Sequence, residues 1–96
     1  MITHIVLFKL KDNSPEKVEE AKQMLAGLWG KVPQLRSLEV GIDVLRSQRS
    51  YDLSLVANFE TLADLEAYQV HPEHKVVVDY MNRVRESAAV VDYHSR

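Results

Sequence analysis

Ninety-six residues with 12 basic and 14 acidic side chains, 46% hydrophobic residues and no cysteine predict a single domain over 1–96 with no room for a second. The composition excludes disulfides and thiol chemistry. Its scattered charges, formal net −2, offer no basic block for nucleic acid, and no apolar run approaches the roughly 18 residues of a membrane span.

With no cysteine and no charged-then-apolar leader, the chain is expected to be cytoplasmic. A chain this short buries only about 60–65% of its unfolded surface, so its core is expected to need help from outside the monomer. Thr3-His4-Ile5-Val6-Leu7-Phe8-Lys9-Leu10 opens as a strand, with His4, Val6, Phe8 and Leu10 on one face and Ile5 and Leu7 on the other. Both faces are apolar at its centre, which predicts a central strand covered on both sides. Ser14-Pro15-Glu16 starts a helix, Ser14 as a side-chain N-cap and Pro15 at the first helical position. Val18, Ala21, Leu25, Leu28 and Trp29 form its apolar stripe; Gly30 is expected to end it and Pro33 to prevent its restart. Strands then follow over 38–44 and 51–59, joined by the polar loop Arg46 to Ser50, which is expected to be solvated.

Thr61 and Asp64 make a capping-box-like start for a short helix carrying Leu62, Leu65 and Tyr68. The residue before a proline is pushed out of the α region, so His71 is expected to break this helix and Pro72 to begin another. His74, Val77, Val78, Met81 and Val84 lie on the apolar side of that second segment. Residues 88–94 close the chain as a strand. The order βαββα(α)β, with right-handed crossovers, predicts an α+β, ferredoxin-like monomer: a four-stranded antiparallel sheet with its helices on one face. Ile5, Leu7 and one of Val90 and Val91 then point away from the helices, and an exposed apolar sheet face predicts a homodimer built sheet against sheet.

The chemistry of this composition rests on histidine. There is no phosphate loop and no serine in a nucleophile-elbow setting. His71 and His74 have an H-x-x-H spacing, but they flank a helix break rather than share a helical face, so no metal site is assigned. His71 reads as a polar residue at a helix start, and His94 as a surface residue near a fraying end. His74 points inward, His4 heads the strand face beneath the helices, and Tyr68 reaches the same seam. Two imidazoles and a phenol there make a small acid/base site, or a set of buried polar groups that satisfy one another and stiffen the core; spacing alone leaves both open. Phe8, Leu25, Leu28, Trp29, Phe59, Val77, Met81 and Asp92 are expected to line the pocket there. Asp92 is either the partner of an inward histidine or a solvated edge carboxylate.

The whole chain resembles the stress-responsive dimeric α/β-barrel proteins, the Dabb family. The resemblance rests on His4-Ile5-Val6-Leu7-Phe8-Lys9, Gly41-Ile42-Asp43, Tyr51-Asp52-Leu53 through Phe59-Glu60, Tyr68-Gln69-Val70-His71-Pro72-Glu73-His74 and Val91-Asp92-Tyr93. It implies ferredoxin-like subunits whose sheets join into one dimeric α/β barrel. Plant polyketide cyclases of this family use residues that fall on His4, Tyr68 and His74. The resemblance to that branch implies His74 as general base, Tyr68 as donor to the developing oxyanion and His4 as an orienting group, without metal or organic cofactor. That branch carries a pocket tyrosine where this chain has Leu25, so the pocket differs. Cofactor-free monooxygenases share the architecture, but no motif here points to oxygen chemistry. Three functions follow: an uncharacterised Dabb protein binding a small carbonyl-containing ligand, a cyclase-like lyase, or a structural or stress-protective dimer.

Overall fold

The computed structural model describes residues 1–96. Its elements run β1 (Ile2–Leu10), α1 (Pro15–Ala26), β2 (Ser37–Ile42), β3 (Leu53–Phe59), α2 (Leu62–Val70), α3 (Pro72–Val84) and β4 (Arg85–His94). The strands form one antiparallel sheet in the order β2-β3-β1-β4, so the ferredoxin-like expectation holds. β1 is central as its two apolar faces predict. Its helix-side residues Val6, Phe8 and Leu10 join Leu53, Leu55 and Phe59 of β3 in a core closed by Val18, Ala21 and Leu25 of α1 and by Leu65, Tyr68, Val77 and Met81 of α2 and α3.

On the far face, cross-strand register lines up Val56, Ile5 and Val91 in one row and Ser54, Leu7 and Ala89 in the next. Val91 is therefore the valine that points away from the helices, and it is 52% exposed. Val90 shares the helix side with Val6 but lies on an edge strand the helices do not reach, which leaves it exposed as well.

Several local expectations change. Ser14 precedes α1 without a side-chain cap bond; Asp12 instead accepts the Ser14 N–H at 3.0 Å. α1 stops at Ala26, four residues before Gly30, and the chain continues in turns to Gly30, whose φ of 86° suits glycine. β2 ends at Ile42 because Asp43 leaves the ladder and accepts the Arg46 N–H at 2.6 Å. Arg46 is not simply solvated: its guanidinium donates to Asp52 (3.1 Å) and to the Asn13 carbonyl (2.9 Å). Buried Asp52 also accepts the Leu10 N–H at 2.8 Å, which ties the β2–β3 loop to the end of β1. The Thr61 hydroxyl accepts the Asp64 N–H (3.1 Å), as its cap role requires.

Candidate functional site

The break between α2 and α3 builds the site. His71 is extended (φ −65°, ψ 136°) because Pro72 follows it, and its Nδ1 accepts the Glu73 N–H at 3.1 Å, capping α3. The reversal carries His74, in the first turn of α3, back over the last turn of α2. There its Nδ1–H donates to the Gln69 carbonyl at 3.2 Å, and its ring lies 4.2 Å from that of Tyr68. The two histidines of the H-x-x-H spacing are thus engaged separately, one as a cap and one at the seam.

Tyr68 is 1% exposed and lies against Phe59 (5.0 Å between centroids) and His4 (6.1 Å, edge-on). His4 stands on the helix side of β1, and its Nδ1–H donates to the carboxylate of Asp92, directly opposite on β4. The open alternative for Asp92 resolves in favour of a histidine partner, although its side chain keeps 36% exposure at the sheet edge. Carboxylate and carbonyl oxygens only accept, so each imidazole carries a proton on Nδ1 and its Nε2 has no protein partner. No protein group hydrogen-bonds the Tyr68 hydroxyl. The only fully enclosed side-chain polar atom without a partner is Gln34 Oε1, so the phenol oxygen opens to the cavity it borders.

That cavity, about 90 Å³, lies between β1 and α3 and is bordered by His4, Tyr68 and His74. Its wall is mainly apolar, formed by Phe8, Leu25, Leu28, Val77 and Met81 as expected and by Leu55 in addition. Burial pushes the Tyr68 phenol up to about 12, so it stays a donor throughout the neutral range. Desolvation lowers the His74 pKa, outweighing the opposing bond to Gln69, and the neighbouring His4 and His71 lower it further. His74 is therefore neutral at pH 7, with a basic Nε2. By linkage, a depressed imidazole contributes stability above the unfolded value of 6.5, and the contribution is lost as pH falls through the folded value. In an NMR titration His74 is expected to have its midpoint below 6.5; a midpoint at or above 6.5 contradicts its desolvation.

Three expected lining residues are corrected. Asp92 holds His4 from the sheet edge and does not itself border the cavity, because its carboxylate is turned to the imidazole. Trp29 is 58% exposed and does not reach the cavity, because α1 ends at Ala26 and the following turns carry its ring to solvent while Leu28 stays inside. Phe59 is fully buried behind Tyr68 as its packing support rather than as cavity wall. Sequence reasoning missed Asn82 and Arg85, which border the end of the cavity away from the histidines. The signal was present in α3, where Asn82 lies eight residues after His74, on the same side of the helix. The largest cleft, about 480 Å³, lies elsewhere, beside the β2–β3 loop; there the Arg46 guanidinium is paired with Asp52, and Asp43 accepts the Arg46 backbone N–H.

The sequence profile of Dabb, the Stress responsive A/B Barrel Domain, matches residues 2–95. The chain belongs to this family. Among solved structures, a dimeric ferredoxin-like protein of unknown function from Bacteroides fragilis is 31% identical to this Dabb chain, with a TM-score of 0.83, and the match covers 98% of this chain and 95% of that one. A dimeric ferredoxin-like protein of unknown function from Thermobifida fusca is 27% identical over 98% and 90% of the two chains, with a TM-score of 0.86. The hydroxynitrile lyase of Passiflora edulis shares the fold at 16% identity, with a TM-score of 0.85 over 99% and 93%. No curated protein matches this chain. No helix of the Dabb chain is long and apolar enough to cross a membrane.

Proposed function

We propose that this Dabb chain binds a small carbonyl compound in the cavity between sheet and helices and catalyses proton transfer next to that carbonyl without a cofactor, as in an intramolecular aldol cyclisation. The observation that carries the reading is the meeting, on one mostly apolar cavity, of a neutral His74 with a free Nε2, a Tyr68 hydroxyl without a protein partner and a His4 ring held by Asp92. In this reaction His74 Nε2 takes the proton from the carbon beside the carbonyl, which leaves an imidazolium and an enolate. The Tyr68 hydroxyl donates to the enolate oxygen, where charge develops in a site with little water. The enolate carbon then bonds to a second carbonyl of the same molecule, and the resulting alkoxide takes the proton back from His74. His4, fixed at Nδ1 by Asp92, orients a hydroxyl of the substrate or of Tyr68 through Nε2. The residues that resemble those of the cyclase branch are the same three.

The direct test is exchange of the α-protons of a methyl ketone in D2O, followed by NMR with and without the protein. Acceleration above buffer and above free imidazole at equal concentration supports the reading, and no acceleration removes it. A structural or stress-protective dimer is the second reading, favoured by the small size of the cavity, about 90 Å³.

The chain is also proposed to act as a cytoplasmic homodimer joined through the far face of the sheet. The row Val56, Ile5 and Val91 and the dimeric state of the Bacteroides and Thermobifida relatives support this. Light scattering is expected to give about twice 11.0 kDa for the native chain and the single mass for Ile5→Asp, because a carboxylate buried in a sheet-to-sheet contact has no partner. A native mass of 11.0 kDa at micromolar concentration sinks the dimer.

A further inference from the structure

The cavity has a second polar end that the acid/base reading does not use. Arg85, at the junction of α3 and β4, is half-buried and borders the cavity with Asn82. Its Nε donates to Asn82 Oδ1 at 3.1 Å, which orients the guanidinium and leaves its Nη hydrogens unengaged. The ion pairs of the chain are His4 with Asp92, Lys17 with Glu20, Arg36 with Glu60 and Arg46 with Asp52; none supplies Arg85 with a carboxylate. No other lysine or arginine borders this cavity. A half-buried guanidinium steadied by a neutral amide, beside an apolar wall, is a receptor for a planar anion, because a carboxylate matches its fork with two parallel hydrogen bonds.

We infer that the substrate of this site is a keto acid, its carbonyl beneath Tyr68 and His74 and its carboxylate on Arg85. This deepens the proton-transfer reading and rests on it. The spacing sets the length of the molecule. Asn82 follows His74 by eight residues of α3, about 12 Å along the axis at 1.5 Å per residue. The imidazole, the phenol and the guanidinium reach in from the two ends and the cavity is half-open to solvent, so the interval suits a linear oxo acid of the length of 7-oxooctanoate, its methylene chain along Val77 and Met81 and partly outside the enclosed volume. With one ketone this acid is a binding and α-proton-exchange probe, and a substrate that cyclises carries a second carbonyl. The same placement explains why a mainly apolar cavity has polar groups only at its ends. The carboxylate selects and orients, while the carbonyl reacts.

The test compares 7-oxooctanoate with its uncharged methyl ester, by calorimetric affinity and by the NMR shifts of the His74 and His4 ring protons, in the native protein, Arg85→Gln and Arg85→Lys. In the native protein the acid is expected to bind at least about tenfold more tightly than the ester. Arg85→Gln is expected to remove that preference and leave the ester unchanged, while Arg85→Lys, which keeps the charge and loses the fork, restores part of it. Thermal melts of each variant separate loss of binding from loss of fold. An acid affinity that survives Arg85→Gln overturns the keto acid assignment, and ester binding with intact histidine shifts then leaves the proton-transfer reading standing. If neither compound moves the His74 signals of the native protein, the cavity reading falls and the assignment with it. Tighter binding of a phosphonate of the same length reassigns the guanidinium to a phosphate-bearing ligand. If Arg85→Gln weakens self-association and leaves acid affinity unchanged, Arg85 serves a partner subunit's carboxylate and the inference fails.

Discussion

His74→Ala is expected to slow α-proton exchange of a bound methyl ketone by about 10²–10⁴-fold, the range for loss of a positioned general base. The substitution removes the only imidazole whose Nδ1 is tied to a backbone carbonyl and whose Nε2 borders the cavity beside the Tyr68 hydroxyl. Its effect on folding is expected to be small, since His74 is only partly buried and its bond to Gln69 lies near the surface. A stable variant with unchanged exchange removes His74 from the chemistry. The rate profile gives an independent check. A neutral imidazole is the active form, so the rate rises with pH through a midpoint below 6.5, the direction in which desolvation moves His74. It then stays level through neutral pH, because Tyr68 keeps its proton to about 12. Tyr68→Phe is expected to leave the lower midpoint in place and reduce the plateau, since the donor to the oxyanion is lost and the base remains.

The second large effect concerns stability. Phe59→Ala is expected to cost about 3–5 kcal/mol, the range for truncating a buried aromatic. Phe59 is fully buried at the end of β3, its backbone opposite Ile2 of β1 and its ring 5.0 Å from Tyr68. Removing it opens a cavity directly behind the phenol. For a domain of this size each kcal/mol lowers Tm by about 4–8 °C. Urea unfolding at one fixed protein concentration measures the loss; keeping the concentration fixed keeps any self-association constant. A loss under about 1 kcal/mol contradicts the packing described. The same variant is expected to weaken binding of a carbonyl ligand, because Tyr68 loses the surface that holds its ring.

Much of the fold was legible because its signals are local. Alternation in residues 3–10, the Ser14-Pro15 start, the Thr61 cap and the His71-Pro72 break each depend on a few neighbouring residues, and the structure places elements at all four. The two apolar faces of β1 carried longer-range information, since one face enters the core beneath the helices and the other lines up Ile5 with Val56 and Val91 of the strands on either side. Boundaries were less legible. α1 ends at Ala26 rather than at Gly30, and that difference of about one turn separates Leu28 from Trp29. Helical periodicity puts both residues on the core stripe, while the turn geometry buries one and exposes the other.

The sequence by itself determined which residues could meet at the seam. Strand alternation put His4 on the helix side, helix spacing put Tyr68 and His74 inward, and Pro72 required the break between them, all through backbone geometry within a few residues. Only the tertiary structure decided what each of them faces. Cross-strand register set Asp92 opposite His4, the reversal at His71 brought the Gln69 carbonyl to His74, and the junction of α3 with β4 placed Arg85 at the far end of the same cavity. These pairings join residues from different elements, up to 88 positions apart. No local periodicity records them, because strand register and helix packing are settled by the core as a whole.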